Sequence, residues 1–86
     1  MPAAPDHPAH DYAERIRERL PRRLQEFREG AGMSKYALAR ESGLSREYIG
    51  RLERGRANPS IPVTAQLSHG LGMTLTEFVE QVEDEL

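Results

Sequence analysis

The chain has 86 residues, no cysteine and a formal net charge of −2. That length supports one domain with a modest core, and the composition excludes a disulfide framework or a thiolate metal site. The first ten residues hold no apolar stretch suited to a signal peptide and no later run could span a bilayer, so a cytoplasmic protein with no membrane partner is expected.

In chain order, residues 1–10 combine three prolines and two histidines without apolar periodicity. They read as a flexible arm ahead of a domain over 11–86. His7 and His10 have no evident third ligand, so no metal site is expected. Asp11 is placed to cap a helix over Tyr12 to Leu20. Pro21 then either opens a new helix to about Glu29 or kinks a single helix running from Asp11. Leu20, Leu24 and Phe27 recur at helical spacing and face inward, and Gly30 and Gly32 stop this segment.

Ser34 caps the next helix, about Lys35 to Ser42, with Leu38 and Ala39 toward the core. Ser45 caps another, about Arg46 to Arg54, which Gly55 ends. Ser60 caps a fourth, with Pro62 in its first turn and Val63, Leu67 and Leu71 as its apolar stripe; Gly72 terminates it. Thr74 and Glu77 have capping-box spacing for a last helix, about Leu75 to Glu85. Phe78, Val79, Val82 and Leu86 recur along it. No strand-like alternation interrupts this pattern. The fold class is all-α, with five helices, or six if Pro21 splits the first.

The charges are segregated. All 12 Lys and Arg lie between Arg15 and Arg56, a window with 6 acids and so a formal charge of +6. Five of the other acids crowd Glu77 to Glu85. Local charge sets attraction to phosphate, so the overall −2 does not exclude DNA.

The spacing from Leu38 to Ser60 is the most informative feature. Ala39 supplies a small residue where two helices cross, four positions before Gly43. Gly43 suits the left-handed conformation of a tight interhelical turn. Leu44, Ile49 and Leu52 turn one side of the following helix inward and leave Arg46, Glu47, Arg51 and Arg54 on the other.

Together with Phe27-Arg28-Glu29, Met33-Ser34-Lys35, Leu52-Glu53-Arg54-Gly55, Asn58-Pro59-Ser60 and Leu71-Gly72-Met73, this spacing resembles the Cro/C1-type (XRE, phage-repressor-like) helix-turn-helix domains over residues 20–80. The resemblance implies a five-helix, lambda-repressor-like DNA-binding domain whose helices 2 and 3 form the helix-turn-helix. It implies base contacts at Arg46, Glu47 and Arg51, the first, second and sixth residues after the serine cap. Arginine can donate twice to guanine O6 and N7, and glutamate can accept from cytosine N4. Glu47 has a plainer alternative, an i,i+4 pair with Arg51. Phosphate contacts fall to Lys35 and Tyr36 at a helix start and to Arg54, Arg56 and Asn58 beyond the reader. The resemblance also pairs Glu53 with Arg28, which orients the reader. Three residues depart from the family pattern: Lys35 stands where glutamine is common, Tyr48 where a small residue is common, and Gly50 lies mid-helix on the DNA side.

The expected function is a sequence-specific DNA-binding transcriptional regulator without a cofactor, acting as a homodimer. Leu75, Phe78, Val79 and Val82 either pack on Leu67 and Leu71 or form the dimer seam. An antitoxin or restriction controller shares the DNA surface and adds a protein partner, for which the acidic last helix is the candidate. A protein-interaction module reusing the fold without DNA is the third reading. No enzyme is expected: the chain lacks Gly-x-Ser-x-Gly, a phosphate-cradling glycine loop and His-Glu-x-x-His. His69, late in the fourth helix, suits the negative end of that helix.

Overall fold

Side-chain hydroxyls set the starts of four of the five helices among residues 6–84, the residues described by this computed structural model. The helices are α1 (Pro8–Gly30), α2 (Lys35–Ser42), α3 (Arg46–Glu53), α4 (Ile61–Gly70) and α5 (Leu75–Glu83). Ser34, Ser45 and Ser60 accept the backbone N–H of Ala37, Tyr48 and Val63 at 3.0, 3.1 and 3.2 Å. Each bond satisfies a donor that the first helical turn leaves without a partner. Thr74 and Glu77 complete a reciprocal capping box on α5, at 3.1 and 2.8 Å. These starts agree with the sequence reading. Glu85 and Leu86 lie outside the described residues, as do residues 1–5 of the expected arm.

The first helix differs from expectation. It begins at Pro8, inside the stretch expected to be an arm, and its cap is His7 rather than Asp11. His7 Nδ1 accepts the Ala9 N–H at 3.0 Å, and proline fits a first turn because its missing N–H would have had no helical partner. Of the two readings of Pro21, the single helix is the one found: α1 runs through it. An interior proline costs about 3 kcal/mol, so contacts on its N-terminal side must offset it. Tyr12 donates its hydroxyl to Glu83, and Arg19 Nε donates to the Val82 carbonyl at 2.6 Å. Arg23 Nε reaches the Gln81 carbonyl at 3.2 Å. The last turn of α5 contains no basic residue, so cations from α1 meet its negative end.

Leu24, Leu38, Ile49, Leu52, Leu67, Phe78 and Val82 form the buried core. Phe27 and Phe78 meet edge to face, with ring centroids 5.2 Å apart. Helix α2 packs on α3 and α4, while α1 packs on α3 and α5. The α2–α4 crossing is close because Gly70 sits there. A Cβ on Gly70 would lie 3.0 Å from Leu38 Cδ1 and from Ser42 Cβ.

Two residues expected as dimer contacts are core residues. Phe78 is 0% exposed and Val82 3%, so neither can reach a second chain. Their stripe faces α1 as well as α4, a packing partner the long N-terminal helix supplies. Val79 is 44% exposed and Leu75 half-buried, so these two remain on the outer side.

Phe78→Ala should cost about 3–5 kcal/mol of unfolding free energy in urea titration, as for other large aromatic deletions in a close-packed core. A loss under about 1 kcal/mol would place Phe78 outside the core.

The Glu77 carboxyl is held below its ordinary value, first by the Thr74 backbone N–H and then by the Thr74 hydroxyl. A depressed carboxyl stabilises the fold above its unfolded value and loses that contribution as pH falls through the folded value. Glu77→Gln keeps the capping geometry without a titrating group. Its stability should therefore fall less than wild type below about pH 4.5, the ordinary value for this group. Identical acid unfolding curves would show that the box contributes nothing through charge.

Candidate nucleic-acid interface

The α2–α3 turn is made by Gly43, whose φ of 76° lies in the left-handed region that a side chain disfavours. Its N–H closes α2 onto the Ala39 carbonyl at 3.0 Å. Ala39 is partly buried and lines the crevice between the two helices. This turn directs Ile49 and Leu52 of α3 into the core and leaves Arg46, Glu47 and Arg51 exposed.

One ion pair fixes α3 to the scaffold. Arg28 Nε donates to Glu53 Oε2 at 2.6 Å, and Arg28 Nη2 to Glu53 Oε1 at 3.0 Å. The remaining Nη1 donates to the Met33 carbonyl at 2.9 Å. One guanidinium therefore ties together α3, α1 and the α1–α2 turn. The Glu53 hydrogen bond raises Arg28 above the usual arginine range, and burial acts in the opposite direction. Arg28 is 9% exposed, so removing either partner leaves a charge in a poor environment.

Lys35, Arg46, Glu47, Gly50, Arg51 and Arg54 line an open concavity of about 520 Å³ on the outer side of α3. Several cations elsewhere have acidic partners, Arg17 with Glu14, Arg23 with Glu26 and Arg40 with Glu41. Among the described residues, Lys35, Arg46, Arg51, Arg54 and Arg56 form no ion pair. Glu47 is likewise unpaired there, so the alternative i,i+4 pair with Arg51 is not formed. The face presents a cluster of unneutralised cations with one carboxylate among them.

The other expected contact residues distribute around this concavity. Tyr36 is 64% exposed and lines the neighbouring crevice with Arg46 and Glu47, with Arg40 lying over its ring. Arg56 is exposed on the loop after α3. Asn58 lies apart, in a crevice shared with Arg17, Pro21 and Pro59. Pro21 packs on the loop at Gly55, where a Cβ would lie 3.7 Å from Pro21 Cγ. Tyr48 is partly buried and packs against the core.

The sequence model of the helix-turn-helix family matches residues 24–78. The chain belongs to the Cro/C1-type helix-turn-helix family of DNA-binding transcription regulators. It is 35% identical over 65 residues to the HTH-type transcriptional regulator DdrOP3 of Deinococcus deserti, covering 76% of this chain and 50% of that protein. The chain thus spans half the length of that relative. It is 32% identical over 71 residues to the control protein C.MunI of a Mycoplasma species, covering 81% of this chain and 96% of that protein. The crystal structure of the wild-type restriction-modification controller protein C.Esp1396I superposes with a TM-score of 0.73 at 27% identity. That match covers 78% of this chain and 88% of the controller. These likenesses favour a regulator over an enzyme. Among the described residues no helix is long and apolar enough to cross a membrane.

Arg28→Ala should lower stability by about 3–5 kcal/mol, because it strands the buried Glu53 carboxylate. Thermal unfolding within error of wild type would show that the pair holds nothing in place.

Proposed function

We propose that this regulator reads its operator with α3 in the major groove, its N-terminal turn facing the base edges. The cluster of unpaired cations around that turn carries the reading. Acidic side chains neutralise Arg17, Arg23, Arg28 and Arg40, yet the groove-facing cations have no such partner. Phosphate and guanine supply what they lack. Arg46 and Arg51 read guanine, and Glu47 reads cytosine N4 where the operator offers it. A carboxylate among phosphates is repelled, so Glu47 contributes selectivity at some expense of general affinity. Lys35, Tyr36, Arg56 and Asn58 contact the backbone, while Ala39, Gly43 and the Arg28–Glu53 pair hold the reader in register.

The binding unit in this proposal is a homodimer on a two-fold site, with reader helices about 34 Å apart, one turn of DNA. The outer residues of α5, Val79 and Leu75, mark the seam. Among the described acids of α5 and its C-cap, Glu77 is engaged in its own cap and Glu83 with Tyr12, which leaves Glu80 and Asp84 as exposed carboxylates for any protein partner. A role as a restriction-modification controller is the second reading. It is favoured by the near-complete coverage of C.MunI and C.Esp1396I. A restriction or methyltransferase gene beside the coding sequence, with the bound operator between them, would separate it from a general regulator.

Selection of bound duplexes from random DNA tests the proposal. Arg46→Ala and Arg51→Ala should each weaken binding to the selected site by about 1–3 kcal/mol and relax preference at one base pair. Unchanged preference in both variants would remove α3 from the groove. Lys35→Ala and Arg56→Ala should instead weaken binding to all sequences alike and reduce the salt slope by about one unit each. A changed base preference with an unchanged salt slope would contradict their assignment to phosphate.

A further inference from the structure

Gly50 is an unfavourable residue in the middle of an eight-residue helix, and alanine is intrinsically better there. Its neighbours show what the missing side chain makes room for. At Gly70 a Cβ would strike another helix, at Leu38 and Ser42, so that glycine serves packing. At Gly50 the three nearest side-chain atoms a Cβ would meet all belong to Arg54, with Nη1 at 3.1 Å, Cζ at 3.8 Å and Nη2 at 3.9 Å. The guanidinium of Arg54 lies across the reader helix, one turn back from its own backbone, and covers Gly50, which is buried.

We propose that Gly50 is a seat for Arg54, and that Arg54 is a base-reading residue rather than a backbone contact. This rests on the reading of α3 as the groove helix. Arg54 caps the C-terminal end of α3, a position from which an arginine would ordinarily reach outward to phosphate. Folded back over Gly50, its fork enters the concavity with Arg46, Glu47 and Arg51. A guanidinium held there presents two parallel donors toward a guanine edge. A Cβ at position 50 would crowd Arg54 Nη1 at 3.1 Å, so the fork must shift from this seat. The glycine therefore adds a base contact to Arg46, Glu47 and Arg51, the base contacts that the family resemblance implies.

The test uses the full chain and duplex DNA selected from a random library. Gly50→Ala should remain folded with an unchanged or higher melting temperature, yet lose about ten-fold of its preference at one guanine position. Arg54→Lys, which keeps the charge but not the fork, should lose preference at that same position and retain the wild-type salt slope. In the Gly50→Ala/Arg54→Ala double variant, the alanine at position 50 should have no further effect. A full Gly50→Ala effect in the absence of Arg54 would show that the glycine acts directly on DNA, and would overturn the seat. Retained preference at every base pair in both Gly50→Ala and Arg54→Lys would overturn it equally. Failure of wild type to select any sequence would instead defeat the groove reading on which the seat depends.

Discussion

The interaction on which the interface depends is the two-pronged bond from Arg28 to Glu53. A helix of eight residues is too short to hold its own direction by propensity, and it is marginal in isolation. Two constraints fix α3. Its apolar side, Ile49 and Leu52, is buried in the core and sets its rotation. Its end is held by Glu53, whose partner lies on the longest helix and also donates to the carbonyl of Met33 at the turn before α2. Both helices of the helix-turn-helix are thereby referred to one guanidinium. An apolar pair of equal volume would give comparable stability. It would not fix direction in this way, because only a paired fork has a preferred geometry.

The same long helix organises the opposite side of the molecule. Arg19 and Arg23 donate to the carbonyls of Val82 and Gln81, and Tyr12 to Glu83, so α5 is clamped where it has no basic residue of its own. The result is a division of charge by face. Cations of α1 that meet α5 are occupied there, while those around α3 remain without acidic partners. Overall net charge conceals this division, since the acids that balance the count lie before Arg15 and after Arg56 in the sequence.

Helix starts were legible in the sequence because each depends on a local rule, a hydroxyl followed by the backbone N–H three residues on. Ser34, Ser45, Ser60 and Thr74 follow it. Gly43 was legible for the same kind of reason, since a tight turn needs positive φ. The pairing of Arg28 with Glu53 was legible only through resemblance, because nothing local links residues 25 positions apart. What failed depended on tertiary contact. Pro21 left two readings open, a break or one helix, and the choice rests on α5, which lies alongside and holds both sides. Phe78 and Val82 looked surplus to a peripheral helix because only α4 was considered as their partner, whereas Phe78 also packs on Phe27 of α1. Gly50 was visible as an anomaly, but the position of the Arg54 guanidinium above it was not.

Methylation interference on the selected operator tests the placement of α3 in the major groove most directly. Methylation of guanine N7 blocks the major-groove edge to which arginine donates, whereas methylation of adenine N3 alters only the minor groove. Strong interference is predicted at guanine N7 positions within each half-site, and none at adenine N3. Interference confined to adenine N3, or absent at every guanine N7 in the footprint, would contradict a reader helix seated in the major groove.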